Sequence, residues 1–126
     1  MNNAAKSIFF FGLYLAVVGA ILLVAPNVLL ALLGFPPTNE VWIRVAGVLV
    51  LFLAYYFIQS ARAGTVDFWR WTTHVRFALI FIFTGLVLLG LARPPLILLG
   101  VADFLGAIWT TLAMRADLAL SHPPTS

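Results

Sequence analysis

The sequence has no cysteine. That excludes a disulfide framework, a thiol nucleophile, a zinc–cysteine site and a cysteine-ligated iron–sulfur cluster. It is also poor in charge: 9% of its 126 residues are charged, against about 25% in an average soluble domain. A soluble fold of this length would have too few polar groups to cover its surface. Disorder is excluded by the opposite excess, because 63% of the residues are hydrophobic and a disordered chain needs low hydrophobicity with high charge. The histidines, His74 and His122, fall in different environments and make no paired ligand set. Glu40, Asp67 and Asp117 sit at the ends of apolar runs or in links, so no carboxylate metal cluster is read either. A Gly-rich phosphate loop and a GxSxG elbow are both missing. No catalytic, cofactor-binding or metal-ligating residue is assigned.

What the sequence has is long apolar runs. A membrane helix needs about 20 mostly apolar residues. Four stretches qualify, at 8–25, 41–61, 71–92 and 96–114. Gly34, Pro36 and Pro37 punctuate the first link, Gly64 the second, and Pro94-Pro95 the third; proline cannot continue a helix from its interior without losing a backbone bond. Short links make consecutive helices antiparallel neighbours. The expected fold is all-α: an integral membrane four-transmembrane-helix antiparallel bundle forming a single domain over 1–126. Segment 27–34 reads as an interfacial turn of helix or as a continuation of the first span past a kink at Pro26. The first run is longer than a cleaved signal core, so a retained anchor is expected. The polar tail 119–126, with His122, is expected to be solvated and disordered.

The Lys/Arg distribution sets orientation. Lys6, Arg62, Arg70, Arg76 and Arg115 fall on one side, Arg44 and Arg93 on the other. Five against two places both termini in the cytoplasm, with a bacterial inner membrane as the expected setting. Trp42, Trp69 and Trp71 lie at span ends, where indole rings favour the headgroup level. Seven cations spread over two membrane faces make no clustered basic surface, so nucleic acid is not an expected partner.

Asp103 is the most informative residue. It lies about 10 Å inside the nearer end of the fourth span. An ionised aspartate at a helix centre costs about 2.5–3.5 kcal/mol on the insertion scale. Such a residue normally faces protein or a wet cavity and has a partner. Arg44 enters the second span from the same side, and Gly47 and Gly106 follow Arg44 and Asp103 on the same helix faces. The expectation is that these two spans pack along those faces with Arg44 bonded to Asp103 as an intramembrane polar pair. The alternative is a local Glu40–Arg44 pair, leaving Asp103 to a tyrosine, a threonine or water. Tyr55, Trp109 and Thr110 are candidates for a pocket near Asp103. Gly12, Ala16 and Ala20 form a stripe of small residues that lets helices approach closely. Thr65 or Asp67 is placed to cap the third helix. Arg70, His74 and Arg76 form a cluster placed to contact an anionic lipid headgroup, or simply to carry the orientation signal.

The order of features resembles the small bacterial four-helix membrane proteins of the DoxX-like and BphX-like group. The resemblance spans 9–114 and rests on Leu33-Gly34, Arg44-Val-Ala-Gly47, Phe68-Trp69 with Arg76, and Asp103 with Ala107 and Thr110. It implies the fold and an accessory role in a membrane complex, and it carries over no catalytic residue. Small multidrug transporters are similar in length but rely on a glutamate in their first helix, where this chain has no ionisable residue. Fluoride channels are similarly short, but their polar filter motifs are not found here. Sterol-isomerase-like proteins use several buried acids and a tryptophan, roles that only Asp103 and Trp109 could fill here. The expected function is therefore an accessory subunit or a binder of a lipophilic molecule such as lipid or quinone. Its expected partners are the bilayer and other membrane subunits or further copies of itself. The alternatives are a small oligomeric or proton-coupled transporter using Asp103, and an intramembrane isomerase or reductase subunit.

Overall fold

The computed structural model describes residues 2–121. The chain forms helices α1 (Asn3–Val24), α2 (Pro26–Leu32), α3 (Val41–Ala63), α4 (Val66–Leu88) and α5 (Ile97–Ser121), with a 3-10 turn at Pro94–Leu96 before α5. α1, α3, α4 and α5 are each long and apolar enough to cross a membrane, with windows of mean hydropathy between 1.5 and 2.5. The 22 residues of α1 span about 33 Å, enough for a hydrocarbon core of about 30 Å. The outside of the bundle is apolar: Leu88, Phe81 and Trp42 are 81%, 72% and 71% exposed. That surface suits lipid as the surrounding solvent. The expected all-α bundle is the fold that forms.

The boundaries shift from the expected ones in a way that matters later. α4 begins at Val66 rather than at 71, and α5 runs to Ser121 rather than stopping at 114. The segment TVDFWRW carries Asp67 and Arg70 yet is helical from Val66, with Trp69 buried and Val66 and Trp71 exposed. Helix α5 likewise continues past Arg115 into what composition suggested was tail. His122 and the rest of 122–126 lie outside the described residues. At Pro26 the chain breaks rather than bends: Ala25 leaves helical geometry (φ −141°, ψ 64°), and α2 is a separate short helix with Pro26 in its first turn. α3 ends at Gly64, whose φ of +73° is left-handed and whose N–H bonds the Ser60 carbonyl. A side chain at that φ would be strained.

α1 is the organising helix. One face packs along α3 and another against α5, which in turn packs on α4. The α1–α3 seam closes on glycines. A Cβ added to Gly47 would lie 2.7 Å from the Leu23 nitrogen and 2.9 Å from the Gly19 oxygen. Only glycine permits backbones to come this close, and the gain is dispersion along two touching helices. Gly47 was expected to face the Asp103 helix; it faces α1 instead. The stripe Gly12, Ala16 and Ala20 is also corrected. Gly12 is buried against Phe57 and Ile58, but Ala20 is exposed and Gly19 takes its place in the seam. Two turns of α-helix bring residue 19, not residue 20, back to the face of residue 12.

Both ends of α1 are finished by charged residues from other helices. At its start the Asp117 carboxylate accepts from Ala4 N at 2.9 Å and Asn3 N at 3.3 Å, while the Asn2 side chain accepts from Ala5 N at 2.8 Å. At its end Pro26 supplies no N–H, and the Arg44 guanidinium donates to the carbonyls of Leu23 and Val24. An anion at the N-terminus and a cation at the C-terminus both oppose the helix dipole.

Candidate functional site

The arrangement around Arg44 decides the main expectation of the sequence. Arg44 is exposed and committed to α1 carbonyls. Neither the Arg44–Asp103 pair nor the Glu40–Arg44 pair forms. Among the described residues the one ion pair within 4 Å is Arg70–Asp67, at 3.4 Å on the surface. The physical reason is local: three residues into α3, Arg44 meets carbonyls freed by a proline break before it could reach across to α5. Thr65 occupies the N-cap position of α4 without a side-chain capping bond, and Asp67 turns to Arg70.

The buried arginine is Arg76. It was expected at the headgroup level with Arg70 and His74. Because α4 starts at Val66, Arg76 sits halfway along it and is 3% exposed. Trp69, Thr73 and Arg76 are the buried residues of α4, spaced as one helical stripe. Arg70 and His74 lie on the exposed side. Trp69, expected at the interface, is 1% exposed within the core, whereas Trp42 and Trp71 are exposed at helix ends.

Four helices converge on the Arg76 guanidinium, α3 through the Phe57 ring, whose centroid is 5.8 Å away. From its own helix, the Thr72 carbonyl accepts from Nε at 3.4 Å and Thr73 Oγ1 from Nη2 at 3.5 Å. From α5, Thr110 Oγ1 accepts from Nη2 at 3.0 Å. From α1, the Phe11 ring lies beneath the guanidinium carbon, 4.6 Å from its centroid, a cation–π contact. Thr110 is itself 2.8 Å from Ser7 Oγ, which donates to the Ala4 carbonyl at 2.7 Å. A hydroxyl has one proton to give. Ser7 spends its proton on Ala4, so Thr110 is the donor between the two hydroxyls. A one-way chain results: Arg76 Nη2 to Thr110 Oγ1 to Ser7 Oγ to the Ala4 carbonyl.

Arg76 Nη1 is buried and has no hydrogen-bond partner among the described residues. It lies 3.4 Å from where a Cβ of Gly106 would stand. Gly106 also lines a groove of about 280 Å³ between α1 and α5, walled by Phe10, Phe11, Tyr14, Leu105 and Trp109. Phe10 and Trp109 stack at its edge, their centroids 6.0 Å apart. Arg76 does not itself line this groove: Nη1 is fully buried behind Gly106 and the Phe11 ring.

Asp103 stands on α5 one turn before Gly106 and is half-buried. Its electrostatic neighbours are the Arg76 guanidinium and the Tyr14 phenol. The cation nearest in influence to Asp103 is thus Arg76 rather than the expected Arg44, with no ion pair between Asp103 and Arg76 within 4 Å. The grouping of Tyr55, Trp109 and Thr110 is not reproduced. Tyr55 is 60% exposed on α3, Trp109 flanks the groove, and Thr110 is fully buried in the polar chain. Sequence reasoning missed Ser7, Phe11, Thr73 and Tyr14. The α4 stripe of Trp69, Thr73 and Arg76 was the signal for the first step. Among the described residues no cluster of histidine and acidic side chains is placed to hold a metal ion. Comparison with protein-family models, curated proteins and solved structures finds no match for this chain.

Proposed function

We propose that this chain is a membrane protein that binds a lipophilic molecule with a hydrogen-bond-accepting head, a lipid or quinone, in the α1–α5 groove. One observation supports this above the rest: a guanidinium buried midway along a membrane helix keeps one nitrogen unpaired among the described residues, just behind the Gly106 and Phe11 wall of that groove. A buried donor without a partner costs about 1–3 kcal/mol, and an arginine within a bilayer is expensive in itself. A carbonyl or phosphate oxygen entering with an apolar body would satisfy Nη1, and Phe10, Phe11 and Trp109 would cover the remainder. The accessory-subunit role, and membership of the DoxX-like or BphX-like group, rest on the order of features in the sequence.

The orientation belongs to this reading as well. Removing Arg76 from the loop count leaves Lys6, Arg62, Arg70 and Arg115 against Arg44 and Arg93. The bias still puts both termini in the cytoplasm, in a bacterial inner membrane. A second reading, a proton-coupled carrier, draws support from the half-buried Asp103 beside Arg76. Full flux in an Asp103→Asn variant would dispose of it.

The test is extraction. Protein purified in mild detergent is stripped with organic solvent, and the extract is analysed by mass spectrometry. A specific lipophile in near-stoichiometric amount is expected, and it should be lost from a Gly106→Leu variant, whose side chain enters the space beside Phe11 and Nη1. A Trp109→Ala variant, which opens the groove edge without crowding, should weaken retention in a protein that still folds. Equal, unselective lipid content in all three proteins would contradict the proposal.

A further inference from the structure

A second cleft lies between α4 and α5, at the end of the bundle that holds the α1 N-terminus. Its volume is about 300 Å³, and Arg70, His74, Phe77, Met114 and Arg115 line it. Arg70, His74 and Phe77 follow one another up a single face of α4, turn by turn. The cleft is therefore graded along the membrane normal, with cationic and imidazole groups toward the helix ends and the Phe77 ring deeper. Thr73 and Thr111 also border it, but their hydroxyl protons go to the carbonyls of Trp69 and Ala107, each at 2.8 Å.

Among the described residues the charges here are little compensated. Arg115 and His74 have no hydrogen-bond or ion-pair partner among the described residues, and both are exposed. Arg70 reaches Asp67 at 3.4 Å with its side chain 57% exposed, a contact that contributes little. Asp117, on the same end, is occupied with the first amides of α1. We propose that this cleft binds the phosphodiester headgroup of an anionic phospholipid, held by Arg70 and Arg115 with His74 donating, while an acyl chain lies along Phe77 and Met114. Guanidinium groups suit phosphate oxygens because their paired N–H groups match them bidentately. The apolar depth favours a lipid over an acidic peptide, which would have nothing to place against Phe77. This cleft is separate from the α1–α5 groove, so the two ligands can be tested independently.

The test measures binding of phosphatidylglycerol to the detergent-solubilised full chain by native mass spectrometry, with thermal shift as a second readout. Phosphatidylcholine, inorganic phosphate and a short polyglutamate peptide serve as comparisons. Phosphatidylglycerol should bind and raise the melting temperature, and the other three should not. A double variant R70Q/R115Q should bind it about 25-fold more weakly, roughly fivefold for each cation removed. A K6Q/R62Q variant, with the same change of net charge outside the cleft, should bind as the parent does. The proposal is overturned if K6Q/R62Q loses as much affinity as R70Q/R115Q, or if R70Q/R115Q loses none. It is equally overturned if phosphatidylcholine, inorganic phosphate or the peptide matches phosphatidylglycerol.

Discussion

Helix α1 has two contrasting sides. Against α3 it is closed by Gly12, Gly19 and Gly47, with backbone atoms nearly touching. Toward α4 and α5 its Ser7 and Phe11 meet the Thr110 hydroxyl and the buried Arg76, with one guanidinium nitrogen unsatisfied among the described residues. The first side has no room along its glycines, and its polar contact, Arg44 to the Leu23 and Val24 carbonyls, lies at the helix end. The second holds its polar atoms by directional bonds, behind the Phe11 and Gly106 wall of a groove. Tight glycine packing fixes the relative position of α1 and α3. The polar corner has a donor left over, and a ligand can compete for it. The close-packed seam and the polar corner thus lie on neighbouring faces of one helix, since Phe11 and Gly12 are consecutive residues.

The largest effect is expected on the closed side. Gly47→Val puts carbon within 3 Å of backbone atoms of Leu23 and Gly19, which no rotamer change relieves. It should cost about 3 kcal/mol or more, seen as a fall in thermal midpoint in detergent and loss of monodisperse protein. A variant as stable as the parent would show that the seam is looser than described.

On the polar corner, Thr110→Val removes the nearer of the two acceptors of Arg76 Nη2 and the donor to Ser7. The expected cost is about 2 kcal/mol, in the range for hydrogen bonds to charged groups. Most of that cost should vanish when Arg76→Met is present as well, because no charge is then left without its acceptor. If the two changes simply add, Thr110 does not act through Arg76.

The ends of α1 should respond least. Asp117→Asn keeps a side-chain acceptor for the amides of Asn3 and Ala4 but loses the charge, at about 0.5–1 kcal/mol. Arg44→Gln should cost a similar amount at the opposite end. Combined with Asp103→Asn, it should show no coupling, since Arg44 and Asp103 touch different partners. Coupling above about 0.5 kcal/mol would restore the direct pair.

Much of the fold was legible because hydrophobic length and proline punctuation are strong signals. The depth of Arg76 was not. Its flank carries Asp67, Arg70, Thr72, Thr73 and His74, so averaged hydropathy ends the span at residue 71. The helix instead reaches Val66 by burying Trp69 and Thr73 on one side while Arg70 and His74 remain outside. Periodicity held that information and composition concealed it. Asp103 stood out by its isolation in an apolar run. Its partner could not be read, because α3 and α5 each touch α1 and a one-dimensional pattern does not tell which helix lies between them. Arg44 went to the carbonyls freed by Pro26, a use visible only once the chain break was placed.

The central claim is that Arg76 is retained for a ligand more than for the fold. The decisive measurement is the lipophile content and thermal midpoint of Arg76→Met purified in mild detergent. Replacing a buried charge with an apolar side chain of similar volume is often neutral or stabilising, so the midpoint should match the parent's or rise. The co-purifying lipophile should fall about tenfold or more, the loss expected for one charge-assisted hydrogen bond. A folded variant that keeps its full complement of lipophile would contradict the account.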